Sequence, residues 1–151
     1  MCKDNQGFTL FELLIVMAIF FAAAAVAVPQ IQSSVSGERL LSSVDGLAAE
    51  INMARTMAVS RNTTYEMRFE RGGDTFQIID PEDPENPPRI AKSLGQNINF
   101  AAAPASNIRF FARGHSSGGN LVVASGTGSS CTVSILPSGH VQVGEFQAYE
   151  E

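Results

Sequence analysis

Gly7-Phe8-Thr9-Leu10-Phe11-Glu12-Leu13-Leu14-Ile15-Val16 is the stretch on which the reading of this chain turns. It opens an apolar run over residues 8–28 that a charge interrupts only at Glu12. About 21 residues in helical form, each rising ~1.5 Å, cover roughly 30 Å, the thickness of a bilayer's hydrocarbon core. An ionised carboxylate near the start of such a segment is costly unless it reaches the membrane surface or meets a counter-charge. A cleaved secretory signal is the alternative. The small residues Ala22-Ala23-Ala24-Ala25-Val26-Ala27 could satisfy its small-x-small site, although its apolar region is ordinarily shorter than this one. Composition leaves both readings open.

Outward from that segment, the 151 residues leave room for one compact domain beside a helical extension. The formal net charge of -5 argues against a generally basic, phosphate-tracking surface. After Pro29 the apolar residues Ile31, Val35, Leu40, Leu41, Val44, Leu47, Ala48, Ile51, Ala54 and Ala58 recur at spacings of three and four, which describes an amphipathic helix. Pro29 and Gly37 should kink or weaken it. The spacing therefore predicts one long helix from about Phe8 to Arg61, half in the membrane and half packed on a domain.

From Thr63 the period falls to two. Tyr65, Met67 and Phe69 alternate with Glu66, Arg68 and Glu70, the pattern of a half-buried strand. Gly72-Gly73-Asp74 makes a turn, and Thr75-Phe76-Gln77-Ile78-Ile79 returns as the second strand of a hairpin. The proline-rich stretch 81–88 is an acidic loop. Further strands are expected over residues 89–94, 107–111, 120–124, 132–136 and 140–144. The economical way to bury all these faces is one antiparallel sheet resting on the amphipathic half of the helix, an α+β fold. Cys131 lies in the alternating run Cys131-Thr132-Val133-Ser134-Ile135 and reads as a small buried hydrophobe.

The leader Met1-Cys2-Lys3-Asp4-Asn5-Gln6-Gly7, followed by Phe8-Thr9-Leu10-Phe11-Glu12 and by Pro29, resembles the prepilin signature of type IV pilins and type II secretion pseudopilins. The resemblance implies that a membrane aspartyl peptidase cuts after Gly7, removing Cys2 with the leader. It implies too that Phe8 becomes the methylated N-terminus and that Glu12 is the acid used in subunit assembly. A positively charged amine at Phe8 is a natural partner for that carboxylate in low dielectric, within a chain or between neighbouring chains. Lys3 places the leader on the cytoplasmic side of the inner membrane and the C-terminal domain in the periplasm. The expected division is a leader over 1–7, a transmembrane helix over 8–29, its amphipathic continuation over 30–62, and a β-rich globular domain over 63–151.

The helix end Ala54-Arg55-Thr56-Met57-Ala58-Val59-Ser60-Arg61-Asn62 is similar to that of the GspH/FimT group of minor pilins and pseudopilins, as are Phe111-Ala112-Arg113-Gly114 and Leu136-Pro137-Ser138-Gly139. The group implies a type IV pilin-like fold and a non-enzymatic subunit that partners other pilins and helps initiate or cap a secretion pseudopilus or a type IV pilus. DNA-binding members of the group, active in natural transformation, carry a glycine-arginine-x-arginine motif. Here the corresponding stretch is Gly139-His140-Val141-Gln142, without either arginine, so DNA is not an expected partner, and a DNA-binding minor pilin of natural transformation stands as the alternative reading.

No other chemistry is indicated. His115, His140 and Cys131 share no local catalytic motif. Asp80, Glu82, Asp83 and Glu85 do not have the spacing of an EF-hand calcium loop, and the prolines among them describe a solvated loop. Gly114-His115-Ser116-Ser117-Gly118-Gly119 lacks the lysine and following helix of a phosphate loop. Neither cofactor nor metal is expected.

Overall fold

The structure, a computed structural model, describes residues 9–83 and 89–148, and for residues 26–35 and 148 the backbone alone. The element order is one helix followed by eight strands: α1 (Leu10–Arg61), β1 (Tyr65–Phe69), β2 (Thr75–Ile79), β3 (Ile90–Ser93), β4 (Ile98–Ala102), β5 (Ile108–Phe110), β6 (Gly119–Ser125), β7 (Ser129–Ile135) and β8 (Val141–Ala148). The chain divides into two compact units, Met1–Val35 and Ser36–Glu151. The first holds the start of α1, and the second holds the rest of α1 with all eight strands.

Local chemistry explains both ends of α1. Thr9 stands at the N-cap, its Oγ1 accepting a hydrogen bond from the Glu12 amide at 3.2 Å, while the Leu13 amide donates to the Thr9 carbonyl. At the other end Asn62 adopts a left-handed φ of 52°. Its amide donates to Val59 O and that of Thr63 to Ala58 O, the paired bonds that close a helix at an αL residue.

Within the second unit the helix buries Leu40, Val44, Leu47, Ile51, Ala54 and Ala58, all at 1 % exposure or less. Their alternate steps of four and three draw one seam along the helix. Leu41, counted among the inward residues by periodicity, is 44 % exposed and lies off that seam. Ile31 and Val35 fall outside the described side chains.

The strands form two four-stranded antiparallel sheets, β3-β2-β1-β5 and β4-β6-β7-β8, where one sheet was expected. Neighbouring strands twist by about 20–25° each, so a single eight-stranded sheet would turn its outer strands away from one helix. Two shorter sheets keep both apolar faces within the same core. Tyr65, Met67, Phe76, Ile78, Ile108 and Phe110 come to it from the first sheet, and Phe100, Leu121, Val123, Cys131, Val133 and Ile135 from the second. The predicted hairpin is present, with Met67 opposite Ile78. Its turn bridges the sheets, since the Gly72 amide donates to Phe100 O and the Phe100 amide to Gly73 O. The strand absent from the sequence reading is β4, a five-residue element in which only Ile98 and Phe100 are buried.

Candidate assembly site

Considered by itself, the first unit presents apolar side chains to its surroundings. Leu10 is 80 % exposed, and Phe11, Leu13, Leu14, Ile15, Val16, Met17, Ile19, Phe20 and Phe21 are all exposed with it. A contiguous apolar surface of this kind is rarely left open to water and marks contact with lipid or other chains. Glu12 lies in the first helical turn, where the unsatisfied amides favour an anion. Gly7 and Phe8, the expected cleavage and methylation positions, lie outside the described residues, as does the side chain of Pro29. The backbone of α1 is helical through Pro29 and Gly37. Among the described residues no helix is long and apolar enough to cross a membrane; the described side chains of the apolar run stop at Ala25.

The sequence signatures of the second unit converge in space. The Arg55 guanidinium, reaching out from α1, donates from Nε to Gly114 O at 2.8 Å. Gly114 sits at a φ of 83° in the tight loop after β5, and the Gly139 turn closes over it with a φ of 81°. A Cβ on Gly139 would come 2.4 Å from Gly114 O and 2.7 Å from Arg55 Nε. The Ser116 amide donates to Pro137 O and its hydroxyl to Leu136 O, tying the two loops together. Three segments that resemble the GspH/FimT pattern thus form one lock between helix and loops.

A second cluster was not anticipated. Glu66, expected on a solvent face, is only 3 % exposed. Its Oε1 accepts from Arg68 Nε at 2.9 Å and Asn107 Nδ2 at 2.9 Å, and its Oε2 from Arg109 Nε at 3.1 Å. Burial alone would raise its pKa, but the bonds from Arg68, Arg109 and Asn107 outweigh that and hold the carboxyl below its ordinary value. The hint in the sequence was Arg68 two residues on, which shares its face. Arg109, directly opposite across β5, becomes a partner only through strand pairing.

The remaining candidates stay apart. His115 stacks on Phe111 with ring centroids 4.6 Å apart, and His140 is exposed. Cys131 is buried, its thiol donating to Gly144 O at 3.3 Å, and burial pushes its pKa up. In the acidic loop the Asp80 carboxylate accepts from the Glu82 amide at 3.1 Å, and Glu85 lies outside the described residues. Among the described residues no group of His, Cys, Asp or Glu could hold a metal ion. A shallow hollow of about 220 Å³ beside α1 contains Glu50, ion-paired to Lys92.

Comparison with known proteins places these features. Residues 43–139 match the family described as "Type II transport protein GspH", and residues 2–28 match the "Prokaryotic N-terminal methylation motif". Among curated proteins nothing matches. Similar solved structures include the minor pseudopilin EpsH from the type 2 secretion system of Vibrio cholerae, at 8 % identity and a TM-score of 0.57, covering 70 % of this chain and 95 % of that one. The type IV minor pilin FimU of Pseudomonas aeruginosa is similar at 17 % identity and a TM-score of 0.58, covering 72 % and 90 %. At these identities the likeness establishes the fold, the long helix on antiparallel sheets.

Proposed function

Since this chain belongs to the GspH family of type II transport proteins, we propose that it is a minor subunit that helps initiate or cap a periplasmic filament. That filament is the pseudopilus of a type II secretion system or a type IV pilus. The first seven residues are the leader, a prepilin peptidase cuts after Gly7, and Phe8 is methylated. Before assembly residues 8–29 cross the inner membrane once, with the C-terminal domain in the periplasm. The observation that carries the reading is the apolar helix surface that begins at Leu10 beside Glu12, exposed in the single chain. Lipid covers it before assembly, and the helices of other subunits cover it afterwards.

On this reading Glu12 meets the amine of Phe8 created by cleavage, in its own chain or a neighbour's. The partner appears only when the leader is gone, so processing and assembly are coupled. Intact mass of the protein from cells with an active prepilin peptidase should correspond to a chain that begins at methylated Phe8. Glu12→Ala should leave membrane insertion intact and reduce recovery in sheared filaments by tenfold or more. A chain still beginning at Met1 would end the filament reading. Undiminished incorporation of the Glu12 variant would end the pairing argument alone.

A further inference from the structure

The two sheets have four edges, and three are protected within the chain. The outer side of β4 is taken up by the β1–β2 turn through the bonds between Phe100 and Gly72 and Gly73. The outer side of β5 is bonded to Ser117, which accepts from the Arg109 amide at 3.0 Å and donates its own amide to Arg109 O. The third edge, β3, is four residues long and carries Lys92 in an ion pair with Glu50. A lysine on the edge is one of the usual means of blunting it.

The fourth edge is different. β8 is the longest strand at eight residues, and among the described residues nothing bonds to its outer side. Residues directly opposite in a pair share a face, so Val143 against Val133, and Phe146 against Cys131, lie on the core face of the sheet. Val141 packs against the core. Val143 and Phe146 are 41 % and 44 % exposed, so the apolar layer reaches the last strand and stops open. A register shift between Cys131 and Val133 divides this edge into two short ladders, 141–143 and 146–148.

We propose that the β8 edge receives an extended strand from a different subunit of the same filament, an inference that rests on the filament reading above. An added strand pairs the open backbone groups and lays apolar side chains over Val143 and Phe146, the mode of β-augmentation. A second copy of this chain does not fit. Its β4 and β5 edges are occupied and its β3 is blunted. Pairing β8 with β8 would require a two-fold axis, which subunits of one polarity in a filament do not share.

The test uses the full-length chain in cells that assemble the filament, with benzoylphenylalanine in place of Phe146 for photo-crosslinking. Mapping of the cross-linked peptides should place the adduct in an extended segment of another pilin-like subunit. The same probe at Thr132, on the opposite face of the sheet, should give no such adduct. Val143→Lys and Phe146→Lys should each lower incorporation tenfold or more while a cooperative melting transition is retained, and Thr132→Lys should incorporate normally. An adduct with a second copy, with lipid or with a protein outside the filament overturns the proposal. So does the absence of an adduct when the chain is recovered in filaments, an outcome that leaves the filament reading standing. If the wild-type chain never enters filaments, both fail.

Discussion

Gly139→Ala should be far more damaging than a surface glycine substitution usually is. The left-handed φ of 81° costs an alanine about 1–2 kcal/mol. The new Cβ would also stand 2.4 Å from Gly114 O, a backbone atom that accepts the Arg55 bond. Moving that carbonyl away breaks a hydrogen bond to a charged donor, typically ~1.5–3 kcal/mol. The sum is about 2.5–5 kcal/mol, a large share of the ~5–15 kcal/mol that holds a domain folded. At ~4 °C per kcal/mol, melting should fall by roughly 10–20 °C. Gly72→Ala is the control, because its φ of 76° carries the same conformational cost with nothing within 4 Å of the added carbon. Urea denaturation of a soluble fragment beginning at Ser36 would compare the two. Repeating Gly139→Ala in an Arg55→Ala background should reduce its cost by at least ~1 kcal/mol, since the bond is already lost. If Gly139→Ala came within ~0.5 kcal/mol of Gly72→Ala, or if the double variant were additive, the lock would not exist as described.

Two further outcomes are expected of the same fragment. Glu66→Gln should cost about 1–2 kcal/mol near neutral pH, limited by the half-exposed arginines. Because the folded carboxyl titrates below its unfolded value, the stability it confers is present above the unfolded pKa and lost as pH falls through the folded one. The difference from wild type should therefore shrink below about pH 4.3, and a cost independent of pH would contradict the charge network. Leu47→Ala, on the fully buried seam, should destabilise by ~2–5 kcal/mol, whereas Leu41→Ala should stay within ~0.5 kcal/mol. Equal costs in denaturation would show that the helix buries a different face.

Much of the architecture could be read without coordinates, for reasons that are local. The helix announces itself in the three-and-four spacing from Leu40 to Ala58, because residues so spaced share one face whatever packs against it. The β1–β2 hairpin follows from alternation on either side of Gly72 and Gly73, where the left-handed φ of Gly72 favours glycine. Leu41 was assigned inward because apolarity alone does not say which of two adjacent leucines faces the core. β4 was missed because Ala101 and Ala102 dilute its period and only Ile98 and Phe100 mark a face.

Local order along the chain is enough to read the α+β class, the apolar run with its single charge at Glu12, and the segments shared with the GspH family. Each depends on the order and spacing of neighbours along the chain. It takes long-range packing to divide the strands into two sheets, to bury Glu66 among Arg68, Asn107 and Arg109, and to bring Arg55, Gly114 and Gly139 into one lock. The same packing protects three sheet edges and, among the described residues, leaves β8 open. These are matters of which distant backbones pair, and a residue's own neighbours in sequence carry no record of the strand that comes to lie beside it.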